Sequence, residues 1–327
     1  MLESHQLREL LSVYPVADPR VAFIRHNENI TYQVTDQADG KSYLLRIHKP
    51  VTENLQGVQH TPEGLRSEMQ LLADIAERTQ LIVQTPVRTL SGQTVALWET
   101  DGEAVPFTLL NWIDGKTMER PDLSDEDNVR RLGRELGLLH RFFRSYSPPS
   151  PLVRPVYGLE RNAESLDRIR YGAETGIIRP SDMAIIEESF ALIDRRLGQL
   201  GKQPDLWGLI HADMNMGNVI VTERGFGFID FCLSGYGYYM LDAAHCALNV
   251  GKENRDAYLE SYAQTFPLPD RPLDHLASFV LSAIFGNYAF QMKNPAKRER
   301  IRDRLPVICE TYCKPFLTGG ESLFHLI

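Results

Sequence analysis

Leu209-Ile210-His211-Ala212-Asp213-Met214-Asn215-Met216-Gly217-Asn218-Val219-Ile220-Val221, continued by Phe226-Gly227-Phe228-Ile229-Asp230-Phe231, is the stretch on which the reading of this chain turns. Two apolar, strand-like runs flank a loop that holds His211, Asp213 and Asn218, and the second run ends at Asp230. Asp and Asn are common turn residues, but four polar residues in this order between two buried runs form a more specific pattern than a turn requires. Transfer of a phosphoryl group asks for little covalent chemistry from a protein. It needs a carboxylate near the acceptor hydroxyl and oxygen ligands for the magnesium that neutralises the phosphates. Asp213, Asn218 and Asp230 are residues of those types.

Around this island the chain reads as mainly helical. Leu132, Leu136, Leu139 and Phe143 recur on one helical face, and Ile185–Leu200 and Leu273–Phe290 read as further helices. Ser147–Pro155 holds four prolines and reads as a loop. The first hundred residues have a different character. Val21–Arg25, Ile30–Thr35 and Ser42–His48 are short strand-like runs, with Asp39-Gly40 as the hairpin turn before the third. Val51–Pro62 reads as a loop, and Leu65, Met69, Leu72 and Ile75 then mark one amphipathic helix over Glu63–Arg78. Strands are expected at Thr85–Leu90 and Thr94–Glu99, joined by Ser91-Gly92, and a last apolar run, Phe107–Ile113, stops at Asp114-Gly115.

The 327 residues suggest about two domains. Apolar residues at 43% and charged residues at 24% are those of an ordinary globular protein, which excludes disordered and collagen-like chains. A net charge of -8 argues against a nucleic-acid binder. Phe279–Phe290, the most apolar stretch, is short and interrupted by Ser282, Gly286 and Asn287, so no membrane span is expected. The first residues lack a basic segment followed by an apolar core, so no signal peptide is expected either. Four cysteines in such a length make no disulfide framework. A soluble, cytoplasmic protein is the expectation.

Asp213 and Asn218, with four residues between them and Asp230 beyond, have the spacing of a kinase catalytic loop and its metal-binding aspartate. On these residues the chain resembles the aminoglycoside phosphotransferase and choline kinase superfamily, most of all its homoserine-kinase-type and stress-response-kinase-like bacterial members. The likeness runs from about residue 20 to 310. It implies an α+β, bilobal, protein-kinase-like fold: a nucleotide-binding lobe over 1–108, with five antiparallel strands and one main helix, a hinge at 109–115, and a helical lobe over 116–327. It also implies roles. Asp213 would be the base or hydroxyl-orienting carboxylate, Asn218 and Asp230 would bind Mg2+, His211 would brace the loop, and Asp242 would hold the loop in place.

In the first lobe, Asn27-Glu28-Asn29-Ile30-Thr31-Tyr32 resembles the nucleotide loop of that superfamily, and Glu68 resembles the helix glutamate that pairs with a strand cation. The loop has no glycine, so the Asn29 and Thr31 side chains would replace backbone amides at the phosphates. The strand cation is Arg46 in place of lysine. Leu109–Gly115 resembles the interlobe hinge, where backbone groups of Asn111 and Ile113 would meet adenine. The resemblance implies an ATP- and Mg2+-dependent phosphotransferase acting on a hydroxyl. The acceptor stays open between a small metabolite such as homoserine, choline or an aminoglycoside and a protein serine or threonine. A catalytically silent nucleotide-binding scaffold is the alternative of another class, and oligomeric state is not legible.

Other chemical-looking features have plainer readings. Gly40-Lys41-Ser42 and Gly115-Lys116-Thr117 end like a P-loop, but Thr35 and Leu110 stand where its first glycine belongs. Cys309, Cys313, His245 and Cys246 lack metal-site spacing and read as structural residues. Lys293–Arg304 carries six basic and two acidic residues and reads as a solvated helix face.

Overall fold

The computed structural model describes residues 2–26, 29–50, 57–100, 102–270 and 272–319. In chain order the strands are β1 (Pro19–His26), β2 (Ile30–Asp36), β3 (Ser42–Ile47), β4 (Ile82–Val83), β5 (Ala96–Thr100), β6 (Glu103–Asn111), β7 (Lys116–Thr117), β8 (Trp207–Ile210), β9 (Val219–Val221), β10 (Phe226–Phe228) and β11 (Gly235–Tyr238). The helices are α1 (Ser4–Leu11), α2 (Pro62–Arg78), α3 (Glu126–Ser145), α4 (Leu159–Glu174), α5 (Pro180–Leu200), α6 (Tyr239–Asn249), α7 (Arg255–Ala263), α8 (Pro272–Gln291), α9 (Arg298–Ile308) and α10 (Lys314–Thr318). The chain divides into two compact units.

The first unit comprises Met1–Met118, Tyr146–Pro155 and Gly217–Ser234. Its main sheet is antiparallel in the order β1-β2-β3-β6-β5. Period-two alternation sends Tyr43, Leu45 and Ile47 to one face, where they pack in a core with Tyr32, Val34, Phe107 and Leu109. Arg46 therefore points from the opposite face. Gly40 supplies the positive φ of 75° that the β2–β3 hairpin needs. Helix α2 starts cleanly because Thr61 Oγ1 accepts the Gly64 amide at 3.1 Å and Pro62 occupies its first turn. Leu65, Met69, Leu72 and Ile75 are its buried stripe, and Glu68 is buried within it. A second sheet, β4-β10-β9-β7, brings the later segment back: β9 and β10 form a hairpin, β10 runs parallel to β4, and β9 pairs with β7.

Two expectations need correction here. Thr85–Leu90 is not a strand, although it runs beside β6: the Val87 amide donates to Leu109 O and the Asn111 amide to Thr85 O, both at 2.8 Å. The run makes one isolated bridge, Pro86 opposite Leu110, and then leaves β6, its Thr89 amide donating to Gln93 O and its Leu90 amide to Val13 O. The fifth strand of the sheet is β6 itself, which begins at Glu103 and ends at Asn111, short of Ile113. The Ser91-Gly92 turn forms as expected, with Gly92 at φ 83°. Between Val51 and Pro62, residues 51–56 lie outside the described residues; Val58–His60 form one 3₁₀ turn.

The second unit comprises Glu119–Ser145, Val156–Met216 and Gly235–Ile327. It is helical apart from the β8–β11 antiparallel pair. Leu132, Leu136, Leu139 and Phe143 are buried on one face of α3. Gly133 lets α7 approach closely, since a Cβ there would collide with Tyr258 O and Ser261 Oγ. Cys309 and Cys313 bracket a π turn and are buried free thiols. No helix among the described residues is long and apolar enough to cross a membrane.

Candidate active site

The loop after β8 is held by a buried carboxylate. Asp242, fully buried in the first turn of α6, accepts the His211 amide on Oδ2 and the Ala212 amide on Oδ1, both at 2.7 Å. His140 Nε2, from α3, lies 3.1 Å from Asp242 Oδ2, and the Tyr262 hydroxyl lies 2.7 Å from His140 Nδ1. Burial pushes the Asp242 carboxyl up, but the His140 hydrogen bond, the nearby His140 and His211 rings and the His211 amide outweigh it and hold the pKa below the ordinary value. The cost of this grip is visible in the backbone. Ala212 sits at φ 65°, a conformation that a non-glycine residue adopts only when its surroundings impose it.

Asp213 follows directly. Its amide donates to His211 Nδ1 at 3.3 Å, which fixes the main chain, and Asn215 Nδ2 donates to its Oδ1 at 2.8 Å, which orients the part-exposed carboxylate. One turn after Asp242, the buried Nδ1 of His245 has no hydrogen-bond partner among the described residues. Burial lowers the His245 pKa despite the opposing pull of Asp242 and Asp213.

In the first unit, the β9–β10 hairpin sets Asn218 and Asp230 close together: Phe228 pairs with Val219, and the Ile229 amide donates to Asn218 O at 3.0 Å. Asp230 then turns into the left-handed region at φ 62°, ψ 58°. One amide oxygen and one carboxylate are hard donors, the kind and number that suit an ion such as Mg2+, which keeps waters and substrate phosphates as its other ligands. The Asp230 carboxylate already draws a cation: Arg25 Nη2 lies 3.0 Å from its Oδ2. The residues present thus fit a divalent ion.

Arg46 and Glu68 meet at 2.7 Å, with side-chain exposures of 3% and 0%. Burial disfavours the Arg46 charge, but Glu68, Cys232 and Asp230 together hold its pKa above the usual arginine value. Arg46 Nε and Glu68 Oε2 have no hydrogen-bond partner among the described residues. Asn29 and Thr31 face inward: Asn29 Oδ1 lies 2.7 Å from His48 Nδ1, and Thr31 Oγ1 donates to Arg25 O at 3.2 Å. Asn27 and Glu28, the first residues of the expected nucleotide loop, lie outside the described residues. Asn111 has its amide on Thr85 O and its Nδ2 on Thr85 Oγ1 at 2.6 Å, while Ile113 packs against Gly227.

Two residues that sequence reasoning missed belong to these arrangements: His140 and Arg25. His140 carried a signal, a lone polar side chain on the apolar face of α3. Arg25 sits, exposed, in the mostly exposed β1 run, and nothing nearby in sequence marks it.

The antiparallel sheet with one long helix, the helical second unit and the carboxylate-braced loop define a mixed α+β protein with the protein-kinase-like fold. The profile of the phosphotransferase enzyme family matches residues 20–273, and the chain belongs to that family. Amicoumacin kinase of Bacillus subtilis (strain 168) is 24% identical over 249 residues, covering 76% of this chain and 68% of the relative. Among solved structures, a microcompartment-associated aminopropanol kinase superposes with a TM-score of 0.78 at 20% identity, covering 99% of each chain. The amicoumacin kinase hAmiN, bound to AMP-PNP, Ca2+ and Ami, gives 0.76 at 21% identity over 96% of each chain. The chain is an ATP-dependent phosphotransferase whose acceptor group is a hydroxyl.

Proposed function

We propose that this phosphotransferase acts on a small hydroxyl compound that also carries an amine, with Asp213 as the carboxylate that orients and relieves the acceptor hydroxyl of its proton. The observation that carries the reading is the Asp242 grip on the His211 and Ala212 amides, which fixes the residue just before Asp213 in a strained conformation. A loop held this firmly supplies the positioning on which phosphoryl transfer mainly depends. In this reading Asn218 and Asp230 hold Mg2+, which neutralises charge on the transferring phosphate when bound. Arg46, braced by Glu68, meets the α- and β-phosphates. Asn29 and Thr31 shape the loop over the nucleotide through their inward contacts. Because the Asn111 amide is engaged by Thr85, main-chain groups at Ile113 are left to meet adenine.

The amine follows from a relative named as an aminopropanol kinase, and the net charge of -8 suits a cationic acceptor. The relatives give no support to a protein serine or threonine as acceptor. The test is ADP release from magnesium-ATP against homoserine, choline, ethanolamine, aminopropanol and aminoglycosides, with incorporation of phosphate into protein followed in parallel. One amino alcohol should stand out, and Asp213→Ala should lose about a hundredfold or more of that turnover, the low end for a positioned base. A turnover within threefold of the parent would remove Asp213 from its role, and a protein as the sole acceptor would overturn the substrate class.

A further inference from the structure

Arg154 is 5% exposed and buried in the first unit, yet its hydrogen-bond partners are main-chain oxygens and one hydroxyl. Nε donates to Ser234 O at 2.6 Å, Nη2 to Phe231 O at 2.9 Å, to Cys232 O and to Ser234 Oγ at 3.0 Å, and Nη1 to Gly64 O at 3.1 Å. Holding a guanidinium out of water without a counter-ion is costly, so the arrangement calls for a reason. The residues it binds supply one. Phe231 and Cys232 follow immediately on Asp230 in its left-handed turn, and Gly64 lies in the first turn of α2, one turn before Glu68. The neighbouring Val153 amide donates to Ser67 Oγ at 2.9 Å, a second tie to the same helix.

We propose that Arg154 is a positioning residue for phosphoryl transfer: its guanidinium locks the turn that presents Asp230 to the start of α2, setting that carboxylate in register with the Arg46–Glu68 pair. The planar fork is essential to this, because the contacts fan out from Nε, Nη1 and Nη2, with Nη2 sharing its two N–H groups among three acceptors, a spread that the single nitrogen of an ammonium does not reproduce. The proposal rests on the reading that Asp230 holds magnesium. Groups that orient a metal ligand commonly change metal affinity by 10–100-fold when removed, which sets the scale of the effect.

The experiment uses the full chain and measures AMP-PNP binding by calorimetry with Mg2+ and with EDTA, taking the ratio of the two affinities. Arg154→Lys should lower that ratio about tenfold while the metal-free affinity stays within twofold. Ser234→Ala removes a single acceptor and keeps the fold, and should lower the ratio about threefold. Asp230→Asn is run alongside. A purely structural role would lower the melting temperature and leave the ratio alone. If Asp230→Asn lowers the ratio but Ser234→Ala, or a folded Arg154→Lys, leaves it within 1.5-fold of the parent, the assignment of Arg154 is overturned. An unchanged ratio in Asp230→Asn overturns the metal reading itself, and the role of Arg154 with it.

Discussion

Replacing Asp242 by Asn changes one oxygen into an amide nitrogen and removes one charge, with almost no change of volume. Oδ1 holds the Ala212 amide, and Oδ2 holds the His211 amide and His140 Nε2. If the new NH2 takes the Oδ1 side, it meets the Ala212 amide donor to donor and that bond is lost, about 1.5–3 kcal/mol for a hydrogen bond to a charged group. The two remaining bonds weaken from charged to neutral acceptors, about 1 kcal/mol each. The other orientation sets the NH2 against the His211 amide and loses that bond instead, while the His140 ring can keep its contact by changing tautomer. The expected destabilisation is therefore about 3.5–5 kcal/mol. Its pH dependence has a definite sign. The Asp242 carboxyl is held below its ordinary value in the folded chain, so its contribution is complete above the unfolded value near ~3.9 and fades as the pH falls through the folded value. Urea unfolding of parent and variant should show a constant gap between about pH 5 and 8 that closes below about pH 4. A gap under about 1 kcal/mol at pH 7 would refute the view that this carboxylate holds the catalytic loop.

Further outcomes follow from the same geometry. Arg46→Met should weaken AMP-PNP binding by about 1.5–3 kcal/mol and also destabilise the fold, because it leaves Glu68 buried without its partner; Arg46→Lys should recover part of the binding only. Adding Glu68→Leu to Arg46→Met should restore stability without restoring nucleotide affinity, and recovery of both would show that the pair has no role at the phosphates. Gly133→Ala should lower stability by about 1–3 kcal/mol in thermal unfolding, since a methyl group meets the α7 backbone at Tyr258 O; an unchanged melting temperature would mean that α3 and α7 can separate freely.

The parts of this protein that could be read from its sequence are those written in local order. Helix α2 announced itself by its apolar spacing, and the hairpin at Gly40 by its turn chemistry. The island at 209–231 was legible because its chemistry is packed into one short stretch. Asp242 was found only through resemblance, since nothing in its own neighbourhood says that it reaches back to residues 211 and 212. What stayed hidden depends on distance or on backbone shape. Arg154 contacts chain some eighty residues later, and no periodicity marks it. The strain at Ala212 exists only once Asp242 has taken its amide. Thr85–Leu90 has the composition of a strand, and only distant partners for its later amides, Gln93 O for Thr89 and Val13 O for Leu90, decide otherwise. Asn29 and Thr31 were expected to face phosphates, and the polar partners that draw them inward, His48 and Arg25 O, could not be read from the loop itself.

The second sheet of the first unit has a consequence for how the chain is made. Strands β4 and β7 are complete once residue 117 has been synthesised, but their partners β9 and β10 reach only to Phe228, and the turn that Arg154 clasps ends at Ser234. At about 5–20 residues per second, the intervening stretch of roughly a hundred residues takes on the order of 5–20 s to emerge. Through that interval the nascent first unit has its five-stranded sheet available but lacks the hairpin that carries Asn218 and Asp230. Every strand of the first sheet, built around Tyr32, Leu45 and Phe107, thus precedes residue 118 in the chain, while the second sheet waits for chain not yet translated.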